Sequence, residues 1–176
     1  MVDQRNNLFA IVIGLMDGIL TALALAAGRI IGSGDPISLQ LALRISTGGA
    51  ISGIFIFFVA EYARQRSDLV VAEMHLRLSS KGQLAASALG RSSFNRALVG
   101  AAVSGTCSFA GALLPLLPAA VFPRYSWLAL VAALIALVVL GTGLAKVASA
   151  NPLRWATALL IIGGVLIVVG NWLHIV

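Results

Sequence analysis

The sequence predicts an all-α integral membrane protein of five transmembrane helices, the second extended into the cytosol, with a homodimer as the expected assembly. Three observations carry this expectation. Of 176 residues, 60% are hydrophobic and only 10% charged, against roughly 25% charged residues in soluble domains. The mean hydropathy is +1.01. The apolar residues are gathered into stretches of the length, about 20 residues, needed to cross a hydrocarbon core of about 30 Å.

Taken in order, the spans run from Leu8 to Ile31, Leu39 to Glu61, Phe94 to Phe122, Trp127 to Ala148 and Leu153 to Val176. The first is read as a helix because it is a run of Leu, Ala and Ile with no proline. A cleaved leader ending at Ala22-Leu23-Ala24 or Ala24-Leu25-Ala26 is disfavoured, since the apolar region is too long and holds Asp17. Gly32-Ser33-Gly34-Asp35-Pro36 makes a turn into the second span. Beyond Glu61, the stretch YARQRSDLVVAEMHLRL spaces Val70, Met74 and Leu78 by four and sets Glu73 four before Arg77. The second helix should therefore continue as a short amphipathic segment, within residues 62–93. Ser79-Ser80-Lys81-Gly82 should end it, with a helical piece from Gln83 to Leu89 and a Ser92-Ser93 cap before the third span. That span carries Pro115 and Pro118, so a kink or break is expected there. Pro123-Arg124-Tyr125-Ser126 turns the chain into the fourth.

Charge sets the orientation. Arg64, Arg66, Arg77, Lys81, Arg91 and Arg96 lie in or beside the 62–93 segment, and with that segment cytoplasmic Arg5, Lys146 and Arg154 also fall inside. Arg29 and Arg124 fall outside. The positive-inside rule thus puts the N-terminus in the cytoplasm and the C-terminus external or lumenal. The formal net charge of +6 is orientation rather than a nucleic-acid footprint, and no nucleic-acid partner is expected. The lone Cys107 excludes an internal disulfide framework.

Small-residue spacings suggest how the helices pack. Gly14 and Gly18, Gly28 and Gly32, and Gly49 and Gly53 each recur at four residues, which lets backbones approach closely and allows a dimer through one of the first two helices.

The chain has six acids. Asp3, Asp35, Asp68 and Glu73 are placed in water or at interfaces. Asp17 is about nine residues into the first helix, roughly 13 Å below the cytoplasmic edge, where an ionised carboxylate costs at least a few kcal/mol unless it faces a wet cavity, a cation or an arginine. Arg44 enters from the other side and lies roughly 12 Å from that depth. A protonated Asp17 bonded to a neighbouring helix is a second structural role. The functional alternative is a carboxylate that alternately holds a proton and a cation. Burial disfavours the ionised form when the site is empty and an arriving divalent cation restores it, so cation binding expels the proton. Glu61 closes the second helix on the cytoplasmic side, at the mouth of a path whose deeper station is Asp17.

Gly14-Leu15-Met16-Asp17-Gly18, then Ala60-Glu61-Tyr62 with Ser67, then Gly111-Ala112-Leu113-Leu114-Pro115-Leu116-Leu117-Pro118, together with Gly141, Arg154 and the stretch from Gly163 to Gly170, resemble the vacuolar iron transporter family. The resemblance implies a five-span homodimer that exports ferrous iron or a similar divalent metal from the cytosol in exchange for protons. It maps the family's first-helix aspartate on Asp17 and its second-helix glutamate on Glu61. Two departures are visible. The family's Ser-Met pair is Ile56-Phe57 here, and its glutamate-rich cytosolic insertion is reduced to Asp68, Glu73, Met74 and His75.

Further ligand candidates are Met16, beside Asp17 but about 100° away on the helix, and the consecutive Glu73, Met74 and His75, which suit a solvated helix surface better than one coordination sphere. The expected function is proton-coupled export of iron or manganese by Asp17 and Glu61. Fe2+ or Mn2+ is the transported substrate, no cofactor is permanently bound, and protons, lipid and a second copy are the other partners. A non-transporting structural or regulatory membrane protein of the same fold is the alternative. An enzyme is not expected, since no nucleophile and base pair appears at plausible depth.

Overall fold

The computed structural model describes residues 2–33, 36–75, 87–147 and 150–173. Helix α1 spans Val2–Ala27 and passes into a π-helical turn over Gly28–Ser33. It is followed by α2 (Leu39–His75), α3 (Ala88–Val121), a 3-10 turn (Pro123–Tyr125), α4 (Leu128–Val147) and α5 (Pro152–Leu173). All five helices are long and apolar enough to cross a membrane, and no strand occurs among the described residues.

Short polar residues start the helices. The Ser38 hydroxyl accepts the Leu41 N–H at 3.2 Å, Ser87 accepts that of Leu89 at 3.2 Å, and Asn151 Oδ1 accepts that of Leu153 at 3.1 Å, each taking up a donor that the first helical turn leaves open. The Ser87 cap starts α3 well ahead of the expected Phe94. Ser92 is inside the helix and donates to the Leu89 carbonyl at 2.8 Å rather than capping it. Of the kink or break expected near Pro115 and Pro118, the break does not occur: α3 runs on to Val121 and closes with the Phe122 N–H on the Pro118 carbonyl at 3.0 Å. Pro115 is fully buried, so neighbouring helices hold the turn that its missing N–H weakens.

Helix α2 is continuous for 37 residues, about 55 Å, which exceeds the apolar layer by several turns. Arg64, Arg66 and Asp68 are exposed in its second half. In its last turns the expected faces are exchanged, for Glu73 is buried and Met74 is exposed. Its predicted continuation through Leu78, the Ser79 to Gly82 stop and most of the Gln83 to Leu89 piece lie outside the described residues. Ala88 and Leu89 belong to α3.

The third helix is the centre of the bundle, packed along its length on α1 and α2, while α4 and α5 pair with each other and dock on α1 and α3. Two core clusters fix this arrangement. Ala22, Ala26, Ala42, Ala112, Leu116 and Ala129 join α1 to α4 at one end, and Ile19, Leu23, Ala133, Leu137 and Leu159 join α1, α4 and α5. The outward surface is apolar, with Phe55, Ile56, Val59, Ile161, Val165 and Val168 exposed, as lipid contact requires.

The close approach of α1 to α3 depends on glycine. A Cβ at Gly14 would run into the Ser104 carbonyl and one at Gly18 into that of Ser108. Gly49 and Gly53 of α2 face the Ser108 side chain, with 3.6 and 3.5 Å between a Cβ built there and Oγ. The glycine spacings at 14/18 and 49/53, expected to let backbones approach closely, pack α1 and α2 on α3 within one chain.

Candidate functional site

Asp17 stands where α1, α2 and α3 meet. Gly18, the next residue, lets the α1 backbone rest on Ser108 of α3, and Ser108, fully buried, donates its hydroxyl to Asp17 Oδ2 at 3.1 Å. From α2, Gly53 closes the site, since a Cβ there would lie 3.4 Å from Oδ2. The carboxylate is thus held by a hydroxyl among backbones that carry no side chains to crowd it. The alternative ion pair with Arg44 does not form. Arg44 is exposed, and no salt bridge joins it to Asp17.

Glu61 lies eight residues further along α2 than Gly53, about 12 Å by helix rise, and is 8% exposed. Both its oxygens are engaged within its own helix. Arg64 donates Nε to Oε2 at 3.0 Å and Nη2 to Oε1 at 2.6 Å, and Gln65 donates Nε2 to Oε1 at 2.7 Å. Arg64 also reaches Asp68 Oδ2 at 3.9 Å, so one guanidinium stands between two acids. Beside this cluster, Phe58 and Tyr62 stack at 5.9 Å and Phe94 of α3 meets both edge-on, at 5.4 and 5.9 Å. This aromatic group anchors the Glu61 turn of α2 on α3.

The two acids are therefore about two helical turns apart along the bundle, and they do not share a coordination sphere. Met16 turns away from Asp17 and packs against the Ile19, Leu23 and Leu137 cluster. Glu73 and Met74 differ in burial and do not converge, and the side chain of His75 lies outside what is described. Among the described residues, no three His, Cys, Asp or Glu side chains form a group able to hold a metal ion. The donor set at Asp17 consists of oxygens: the carboxylate and the Ser108 hydroxyl. Ser108 is the residue that attention to acids alone overlooks. Its signal in the sequence is Ser104 and Ser108 at four-residue spacing, a small-residue stripe on the third span matching Gly14 and Gly18 on the first.

The family model described as the VIT family matches residues 56–173. The chain belongs to the VIT family. This is the vacuolar iron transporter family that its motifs resemble, and its members are transporters, so metal-ion transport across a membrane is the coarse function. The match takes in Glu61, the whole of α3 with Ser108, and α4 and α5, while Asp17 precedes it. No curated protein matches the chain.

Proposed function

We propose that this VIT-family protein exports a divalent metal ion, iron or manganese, from the cytosol in exchange for protons, with Asp17 as the intramembrane station and Glu61 at the cytosolic mouth. The observation that carries the proposal is the Asp17 carboxylate, set between three helices with a hydroxyl donor and, among the described residues, no salt-bridge partner. A carboxylate so placed is stable with either a proton or a cation on it, and a cation arriving at Asp17 displaces the proton. An oxygen-only donor set suits hard divalent ions over copper or other thiophilic metals. In this scheme the positive-inside rule puts both Glu61 and the α2 extension in the cytosol. Two copies form the working assembly, through surfaces other than the glycine faces that α3 occupies.

Proteoliposomes provide the test. Addition of Mn2+ or Fe2+ should release protons in the wild type, and Asp17→Asn should abolish the release while leaving the protein folded, because the amide cannot ionise. Equal flux in the two would remove the proposal. A second reading has its own support in the engagement of Glu61 by Arg64 and Gln65 and in the lack of a three-residue metal group among the described residues. It makes the chain a non-transporting partner of the same fold. On that reading the wild type moves no metal, and Asp17→Asn raises the melting temperature by removing a costly acid from the membrane-spanning part of α1.

A further inference from the structure

The outer seam between α2 and α3 carries two arginines that stand outside any salt bridge among the described residues, Arg66 and Arg91. The two helices run antiparallel in a fixed register: Gly53 lies against Ser108, Ile54 against Gly105, Phe57 against Gly100 and Tyr62 against Phe94. One turn on from the last pair, about 6 Å along α2 and about 4.5 Å along α3, Arg66 and Arg91 come level on neighbouring helices. Both are exposed. Arg66 is turned back towards the rings, donating Nη1 to Tyr62 Oη at 3.3 Å. The acids nearest to it in sequence, Glu61 and Asp68, face Arg64 instead. Next along the seam comes the Phe58, Tyr62 and Phe94 ring group, and after it the exposed Phe55, Val59 and Leu98. Charged surface therefore gives way to apolar surface at the same level on both helices, with aromatic rings at the border, as at the headgroup level of a bilayer.

We infer that this seam binds an anionic phospholipid, its phosphate between Arg66 and Arg91 and an acyl chain along Phe55 and Leu98. A guanidinium fork meets a phosphate with two parallel hydrogen bonds. Two unneutralised guanidinium groups favour a headgroup that brings no cation of its own. The site involves neither Asp17 nor Glu61, so it stands whether or not the protein moves metal.

Native mass spectrometry of the full-length protein, released from neutral-detergent micelles holding equal amounts of dioleoylphosphatidylglycerol and dioleoylphosphatidylcholine, reads the binding directly. The wild type should retain phosphatidylglycerol in preference. Arg66→Gln combined with Arg91→Gln should lower its apparent affinity about fivefold per arginine removed. Arg91→Gln alone, at an exposed side chain outside any described salt bridge, carries the same comparison at about fivefold without burdening the fold. Lys146→Gln combined with Arg154→Gln removes equal charge from exposed positions beside the α4–α5 connection, which the alternation of spans brings to the same end, and should leave the affinity unchanged. Unchanged affinity in the Arg66 and Arg91 variants would overturn the inference. An equal loss in the Lys146 and Arg154 variant would overturn it too, since a diffuse basic end would then suffice. Glycerol 3-phosphate, which has the phosphate without the chains, should not displace the lipid; displacement would make the seam a site for soluble phosphates instead.

Discussion

Substitution of Gly18 by alanine tests whether packing and site are one structure. A Cβ at this position would meet the Ser108 carbonyl oxygen and lie 2.8 Å from the Ala112 amide nitrogen, and neither backbone group can swing aside. To restore an ordinary contact of about 3.5 Å to the nitrogen alone, α1 has to retreat from α3 by about 0.7 Å, and it has to move further to clear the carbonyl oxygen. A retreat of at least that size lengthens the Ser108–Asp17 hydrogen bond from 3.1 Å to about 3.8 Å or more, outside hydrogen-bond range. Overpacking costs about 1–3 kcal/mol and the lost bond about 1–3 kcal/mol more. At about 2–4 °C per kcal/mol for a chain of this size, Gly18→Ala should melt roughly 5–15 °C lower in detergent. Its metal-driven proton release should fall as well. Gly143→Ala is the control, since nothing lies within 4 Å of a Cβ there and alanine is favoured in a helix by about 0.5–1 kcal/mol. A Gly18→Ala protein that melts with or above Gly143→Ala and keeps full flux would refute the reasoning.

Two more outcomes can be stated from the Glu61 turn. Arg64 is half exposed and holds the Glu61 oxygens that the proposed function gives to an incoming metal. Arg64→Ala should therefore lower the apparent KM for Mn2+ by up to about fivefold, the equivalent of about 1 kcal/mol for a solvent-screened pair. A KM that is unchanged or higher would remove Glu61 from the metal's route. Phe94→Ala deletes two edge-on ring contacts, at 5.4 and 5.9 Å, worth about 0.5–1.5 kcal/mol each. It should lower the melting temperature by several degrees, whereas Phe55→Ala, at a lipid-facing position 65% exposed, should not.

Hydropathy made the five spans readable, and the first matches its expected limits of Leu8 and Ile31, because length and apolarity suffice to identify a membrane helix. The start of α3 was not readable in that way. Residues 88–93 are not apolar enough to signal a span, and only the Ser87 cap, a hydrogen bond of three atoms, extends the helix to them. The prolines misled for a related reason. A break at Pro115 follows from local backbone chemistry, while its persistence in α3 follows from burial by helices distant in sequence. The glycine spacings announced close packing but not the partner. That depends on which other helix offers small residues in the same rhythm, and Ser104 and Ser108 of α3 do. Of the site, Asp17 was legible as a charge in lipid, and its hydroxyl partner, 91 residues away, was not. Glu61 was legible as an acid at a helix end, but its engagement by Arg64 and Gln65 depends on rotamers that spacing alone leaves open.

The contact between Gly18 and Ser108 joins stability to chemistry. Helices in lipid have no hydrophobic driving force between them, so tight packing at close backbone approach and hydrogen bonds have to hold them. Here the residues that permit the approach are the neighbours of the acid: Gly18 follows Asp17, and Ser108 supplies both the carbonyl that receives Gly18 and the hydroxyl that reaches Asp17. Glue alone would not require an acid, since an amide at position 17 would accept the same hydroxyl bond without the expense of a charge in lipid. On the proposed function, what the carboxylate adds is the ability to exchange a proton for a cation on the same oxygens. The acid is also set about two turns from Glu61. On the proposed function, capture at the mouth and exchange at Asp17 would then be separate events, which antiport requires if protons are not to leak past the ion.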